Sequence, residues 1–116
     1  MTTIDKKIKQ YQRIILEILQ SEARDFSLQP EMQDQIIADT DRNHYQLLRI
    51  GWLEDDRILQ ILIHIDVKAD GKVWIQENLM ETAIDDELVK RGIPASDIVL
   101  GMTPPSYRRF TEFAES

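Results

Sequence analysis

Residues 57–68 alternate. Leu59, Ile61, Ile63, Ile65 and Val67 fall on one parity, and Ile58, Gln60, Leu62, His64, Asp66 and Lys68 on the other. Side chains of a strand project to opposite faces with a period of two, so this pattern specifies a β-strand and excludes an amphipathic helix. One parity is apolar throughout. The other begins apolar and turns polar, so the strand is predicted to lay one face on a core. It sits at the centre of residues 44–76, which read as three strands joined at 53–56 and 69–71. Gly71 supplies the positive φ that a tight hairpin requires. A shorter strand at 35–39 precedes them, and residues 39–43 carry turn chemistry, with Asp and Asn able to bond their own following backbone. Four successive strands with short connections can pair only as antiparallel neighbours, a meander. Gly51, inside the second strand, marks a bulge or the close approach of another backbone.

Helices flank the meander. Ile4, Ile8, Tyr11, Ile15 and Ile18 recur at steps of four and three, widened by Ile14 and Leu19, which predicts a helix over residues 4–24 with Thr2 or Thr3 as its cap. Pro30 makes 26–33 a loop. A second helix is predicted at 81–91, with acidic residues early, Lys90 and Arg91 late, and Gly92 and Pro94 as its stop. Residues 98–101 read as a short buried strand or turn, and a short segment with two prolines closes the chain. In that segment Tyr107, Phe110 and Phe113 are spaced for one side of a helical turn. The whole is predicted as a single α+β domain over residues 1–116: an N-terminal helix, a four-stranded antiparallel meander, a second helix and a short C-terminal segment.

Charge narrows the functions. Fourteen basic against twenty-one acidic side chains leave a formal charge of −7, which argues against broad attraction to nucleic acid, because that needs Lys and Arg to displace phosphate counterions. The cations at Lys6, Lys7, Lys9 and Arg13 are diluted by Asp5, Glu17 and Glu22 and read as a solvated helix face. With no cysteine there is no disulfide framework and no thiolate metal site. Neither a signal-like nor a membrane-spanning run is seen, which points to a cytoplasmic protein with no membrane association.

Two groups of residues are candidates for recognition. His64 and Asp66 share a strand face, an arrangement that suits acid–base work or two ligands of a metal, with His44 and Asp41 as the contributors within reach. Local hydrogen bonding on a polar sheet face is the favoured reading, so the sequence points to no catalytic, cofactor-binding or metal residue. Tyr107, Arg108, Arg109 and Phe110 place two arginines among aromatics, a composition suited to phosphate, carboxylates or stacked bases. Docked aromatics with solvated or paired arginines is the structural alternative. Trp52 and Trp74 lie in regular strands and read as core or interface anchors. There is no phosphate loop and no nucleophile elbow.

Nearly the whole chain after the first helix resembles the XisI family, the fdxN-element excision controlling factors of cyanobacteria. The resemblance runs through Asp41-Arg42-Asn43-His44-Tyr45-Gln46-Leu47-Leu48, Gly51-Trp52, His64-Ile65-Asp66-Val67-Lys68 and Gly71-Lys72-Val73-Trp74-Ile75-Gln76. It resumes at Glu87-Leu88-Val89, Gly92-Ile93-Pro94, Asp97-Ile98-Val99-Leu100-Gly101 and Arg109-Phe110-Thr111-Glu112-Phe113-Ala114. It implies an accessory role in excision of a DNA element by a site-specific recombinase during heterocyst differentiation. It further implies no enzymatic activity, no cofactor, and a XisH-like protein or the recombinase as partner. The alternative is a DNA-binding directionality factor that uses the C-terminal arginine and aromatic segment. His44, His64, Asp66, Tyr107, Arg108 and Arg109 are the candidate contacts. The less covered sheet face also invites a symmetric dimer.

Overall fold

A computed structural model describes residues 2–116. Helix α1 runs Thr3–Glu22, capped by Thr2: its hydroxyl accepts from the Asp5 N–H at 3.0 Å while the Asp5 carboxylate accepts from the Thr2 N–H at 3.2 Å. This reciprocal box satisfies two backbone donors that the first turn leaves without partners. Tyr11, Ile14, Ile15, Ile18 and Leu19 are buried as the stripe requires, while Ile4 at the end remains exposed. Burying one such aliphatic side chain contributes roughly 1.5–3 kcal/mol, which is why the stripe fixes where α1 lies.

The strands are β1 (Met32–Asp39), β2 (His44–Leu53), β3 (Asp56–Val67), β4 (Val73–Asn78) and β5 (Ile98–Leu100), in the spatial order β1-β2-β3-β4-β5. The first four form the expected antiparallel meander. The fifth corrects the four-stranded reading: residues 98–100 pair parallel with β4, through a crossover that carries helix α2 (Ile84–Lys90) and a 3₁₀ turn at Ala95–Asp97. Parallel neighbours need such a crossover, so this pairing has no hairpin signal in the sequence. A second 3₁₀ turn, Pro105–Phe110, and a bridge between Val99 and Ala114 lay the C-terminal segment along β5. Strand β1 also begins earlier than expected, at Met32, because the Asp34 carboxylate is held by Arg49 Nε and Nη2 at 2.8 and 3.0 Å and by the Arg24 N–H at 2.8 Å.

One face of the sheet meets α1 and α2 through Tyr45, Leu47, Leu62, Ile63, Ile65, Val67, Val73, Ile75 and Ile98. The parity expected for β3 fails in its first half. The register steps from Leu47↔Ile63 to Leu48↔Ile61, leaving Leu62 as an extra residue. Such a bulge inverts the alternation on one side of it. Ile63, Ile65 and Val67 therefore face the core, whereas Leu59 and Ile61, expected beside them, are exposed on the opposite face and Leu62 is buried in their stead.

Asp97 joins α1 to the start of β5. Its carboxylate accepts from the Tyr11 hydroxyl at 2.5 Å and pairs with Lys7 Nζ at 2.9 Å. Burial raises the carboxyl pKa, but the Lys7 ammonium and the Tyr11 hydroxyl outweigh it and hold Asp97 below the usual range. A depressed carboxyl pKa contributes stability above the unfolded value that is lost as pH falls through the folded one. Asp97→Asn is thus expected to lower the urea midpoint at pH 6, with the difference from wild type closing as the pH is taken from about 4 to below 3.

Candidate functional site

The outer face of the sheet, away from α1, carries three zones set by register. At the β4–β5 end the C-terminal segment covers it. The Arg108 guanidinium lies 5.0 Å from the Trp74 ring centroid, and Lys68 Nζ lies 5.4 Å from the same ring. Arg108 is buried and donates to the carbonyls of Leu100, Thr103, Gly101 and Glu115 at 3.0–3.4 Å. It is neither solvated nor paired with an acid, and it is not open to a ligand. That separates the two arginines: Arg109 is exposed and lies 4.9 Å from the Phe110 ring, with Phe110 and Tyr107 both largely exposed. Only Phe113 of the three aromatics packs against the core.

At the middle of the face three side chains converge. The β2–β3 ladder pairs His44 with Asp66 and Gln46 with His64, so all four project outward together. Asp66 Oδ1 lies 2.8 Å from both His44 Nδ1 and His64 Nε2. The Gln46 amide sits 2.7 Å from His64 Nδ1, and Gln76 Nε2 donates to Asp66 Oδ2 at 3.2 Å. Gln76 reaches Asp66 from a second bulge, where β4 steps from Glu77 to Ile75. Its amide occupies the space where a side chain on Gly101 would begin. Asp66 is buried, His64 half-buried and His44 exposed. Burial raises the Asp66 pKa, but hydrogen bonds from His44, His64 and Gln76 reverse that and hold it low. One ligating atom from each of His44, His64 and Asp66 lies within 4.8 Å of the others, the spacing of three donors to one metal ion. Asp39 lines the same depression with Ile37 and Gln46. Asp41, the other contributor weighed from sequence, is in the β1–β2 turn, where its N–H donates to the Asp39 carboxylate at 3.0 Å.

The third zone was not expected. Beyond the bulge, Leu59, Ile61 and Trp52 are exposed beside half-buried Ile50 and buried Leu48. The register places Leu48 opposite Ile61, Ile50 opposite Leu59 and Trp52 opposite Arg57, making an apolar band across β2 and β3 that Gln33 and Gln35 of β1 border. The Arg57 guanidinium covers part of Trp52 at 5.2 Å. The signal that would have revealed the band is the bulge itself, which a run of interchangeable Leu and Ile residues conceals.

Comparison with solved structures places this helix-backed mixed sheet in the XisI-like structural class. A XisI-like protein from Anabaena variabilis superposes with a TM-score of 0.80 at 35% identity, over 97% of this chain and 98% of its own. The fdxN element excision controlling factor XisI from Anabaena variabilis gives a TM-score of 0.79 at 35% identity, over 95% of this chain and 99% of its own. The family model described as XisI protein matches residues 5–115, and the chain belongs to the XisI family. Comparison with curated proteins finds no match. Among the described residues no helix is long and apolar enough to cross a membrane.

Proposed function

We propose that this chain is a non-enzymatic controlling factor for excision of a DNA element, and that it acts by seating a protein partner, a XisH-like protein, on the outer face of its sheet. The observation that carries this reading is the apolar band of Ile50, Leu59, Ile61 and Trp52 on β2 and β3. Contiguous exposed apolar surface rimmed by polar groups is uncommon on a chain that stays alone in water and marks an interface. Trp52 stacked on by Arg57 supplies the residue types that anchor such contacts. The excision controlling factor from Anabaena variabilis supports the biological setting. Direct contact with DNA is the weaker reading, since Arg108 is spent on backbone carbonyls and only Arg109 of that pair is at the surface.

Ile61→Lys tests the interface without touching the core, because Ile61 points away from α1. Copurification with the XisH-like protein at moderate salt is expected for wild type. In the variant, affinity is expected to drop by roughly 2 kcal/mol, about thirtyfold. The urea midpoint should move little, within about 0.5 kcal/mol of stability. Two separate peaks for the wild-type pair would remove the partner reading.

A further inference from the structure

We infer that His44, His64 and Asp66 form a binding site for a zinc-class divalent cation, held by His44 Nδ1, His64 Nε2 and a carboxylate oxygen of Asp66, with an outward-facing position left open. Two imidazoles and one carboxylate make a donor set that suits zinc and its borderline first-row neighbours, and suits magnesium or calcium poorly because those ions require oxygen ligands. The three donors come from paired positions on adjacent strands, so the backbone ladder fixes their spacing. Two ligands of a tetrahedral zinc at about 2.0–2.1 Å stand about 3.3 Å apart. The present separations of 2.8 Å from Asp66 Oδ1 to each histidine need to open by only about half an ångström.

Electrostatics favours a cation here. Among the described residues Asp66 has no Lys or Arg in an ion pair, its only such partners being the two histidines. Asp39 borders the same depression, its own carboxylate paired with Arg42 at 3.2 Å. The outer contacts also fit. Metal-bound histidines characteristically present the far ring nitrogen to a hydrogen-bonding group, and His64 Nδ1 has the Gln46 amide at 2.7 Å. With the amide nitrogen donating, Nδ1 holds the lone pair and the Nε2–H donates to Asp66. With the amide turned over, its oxygen accepts from Nδ1–H and the Nε2 lone pair is free for the ion. Gln76 meanwhile fixes the carboxylate through Asp66 Oδ2, leaving Oδ1 directed at the two imidazoles. His44 is exposed, so the ion has a direct path from solvent.

The test uses the full chain, free of any histidine tag and stripped with a chelator, titrated calorimetrically with zinc chloride. One ion per chain at micromolar or tighter dissociation constant is expected. His44→Ala, an exposed substitution that leaves the core alone, and His64→Ala should each weaken zinc by about a hundredfold or more. Gln46→Ala, which touches only the far nitrogen of His64, should weaken it by about tenfold. A millimolar excess of magnesium should not displace the zinc. Cobalt(II) substituted for zinc should give the visible absorption of a tetrahedral imidazole-containing site, lost in His44→Ala. Absence of zinc binding, unchanged affinity in the folded His44→Ala chain, or displacement by magnesium would each overturn the site.

Discussion

Arg108→Ala is expected to lower the stability of the chain by about 3 kcal/mol, read as a shift in the urea midpoint. Hydrogen bonds from a charged donor contribute about 1.5–3 kcal/mol each and are not additive, while every buried acceptor left without a donor carries a further penalty. Here the guanidinium serves the carbonyls of Gly101, Thr103 and the exposed Glu115, and shares the Leu100 carbonyl with the Thr103 N–H. Removing it also uncovers the face of Trp74. Arg108→Lys should recover only a small part, since a single ammonium cannot reproduce a planar fork of donors. Arg109→Ala should change stability by less than about 0.5 kcal/mol. The pair of substitutions therefore separates a fold contribution from a surface one. Any loss of binding in an Arg108 variant has to be judged against its loss of folded protein.

The second large effect is expected at Gly51, whose φ is +152°. A Cβ there would stand 2.0 Å from the Glu31 carbonyl oxygen and 2.8 Å from Met32 Cα. That carbonyl accepts from the Trp52 N–H at 3.0 Å, closing the end of the β1–β2 ladder. Because the obstruction is backbone, it cannot rotate aside. Gly51→Ala is expected to cost roughly 2–4 kcal/mol. Hydrogen exchange should quicken first at Met32, Gln33 and Trp52, before the centre of β3. Uniform acceleration across the sheet would indicate a global effect and count against the local account.

Helix α1 and the meander are visible in the chain because periods of 3.6 and 2 leave their mark on residue choice, and the stripe from Tyr11 to Leu19 has a single helical solution. The close approach at Gly51 was likewise one of two readings its position allowed. Strand β5 left no comparable trace, since three apolar residues bounded by a 3₁₀ turn and a glycine fit a turn equally well. The bulge at Leu62 was hidden because Leu and Ile on both parities make either alternation look apolar. Of the site, the shared face of His64 and Asp66 followed from their spacing. Gln46 and Gln76 did not, as a glutamine in a strand carries no sign of what it will bond. Arg108 was misplaced for a related reason. An arginine beside another arginine looks like surface, and only the tertiary convergence of four carbonyls beside Trp74 draws one of them inside.

The extra residue at Leu62 has a consequence for how this protein can diverge. It divides β3 into a rear half that answers to α1 and a front half whose Leu59 and Ile61 meet only their β2 neighbours Ile50 and Leu48 on the outer face. Substitutions in the front half can therefore accumulate without loss of folding, and lineages that inherit the same scaffold are free to exchange one binding specificity for another.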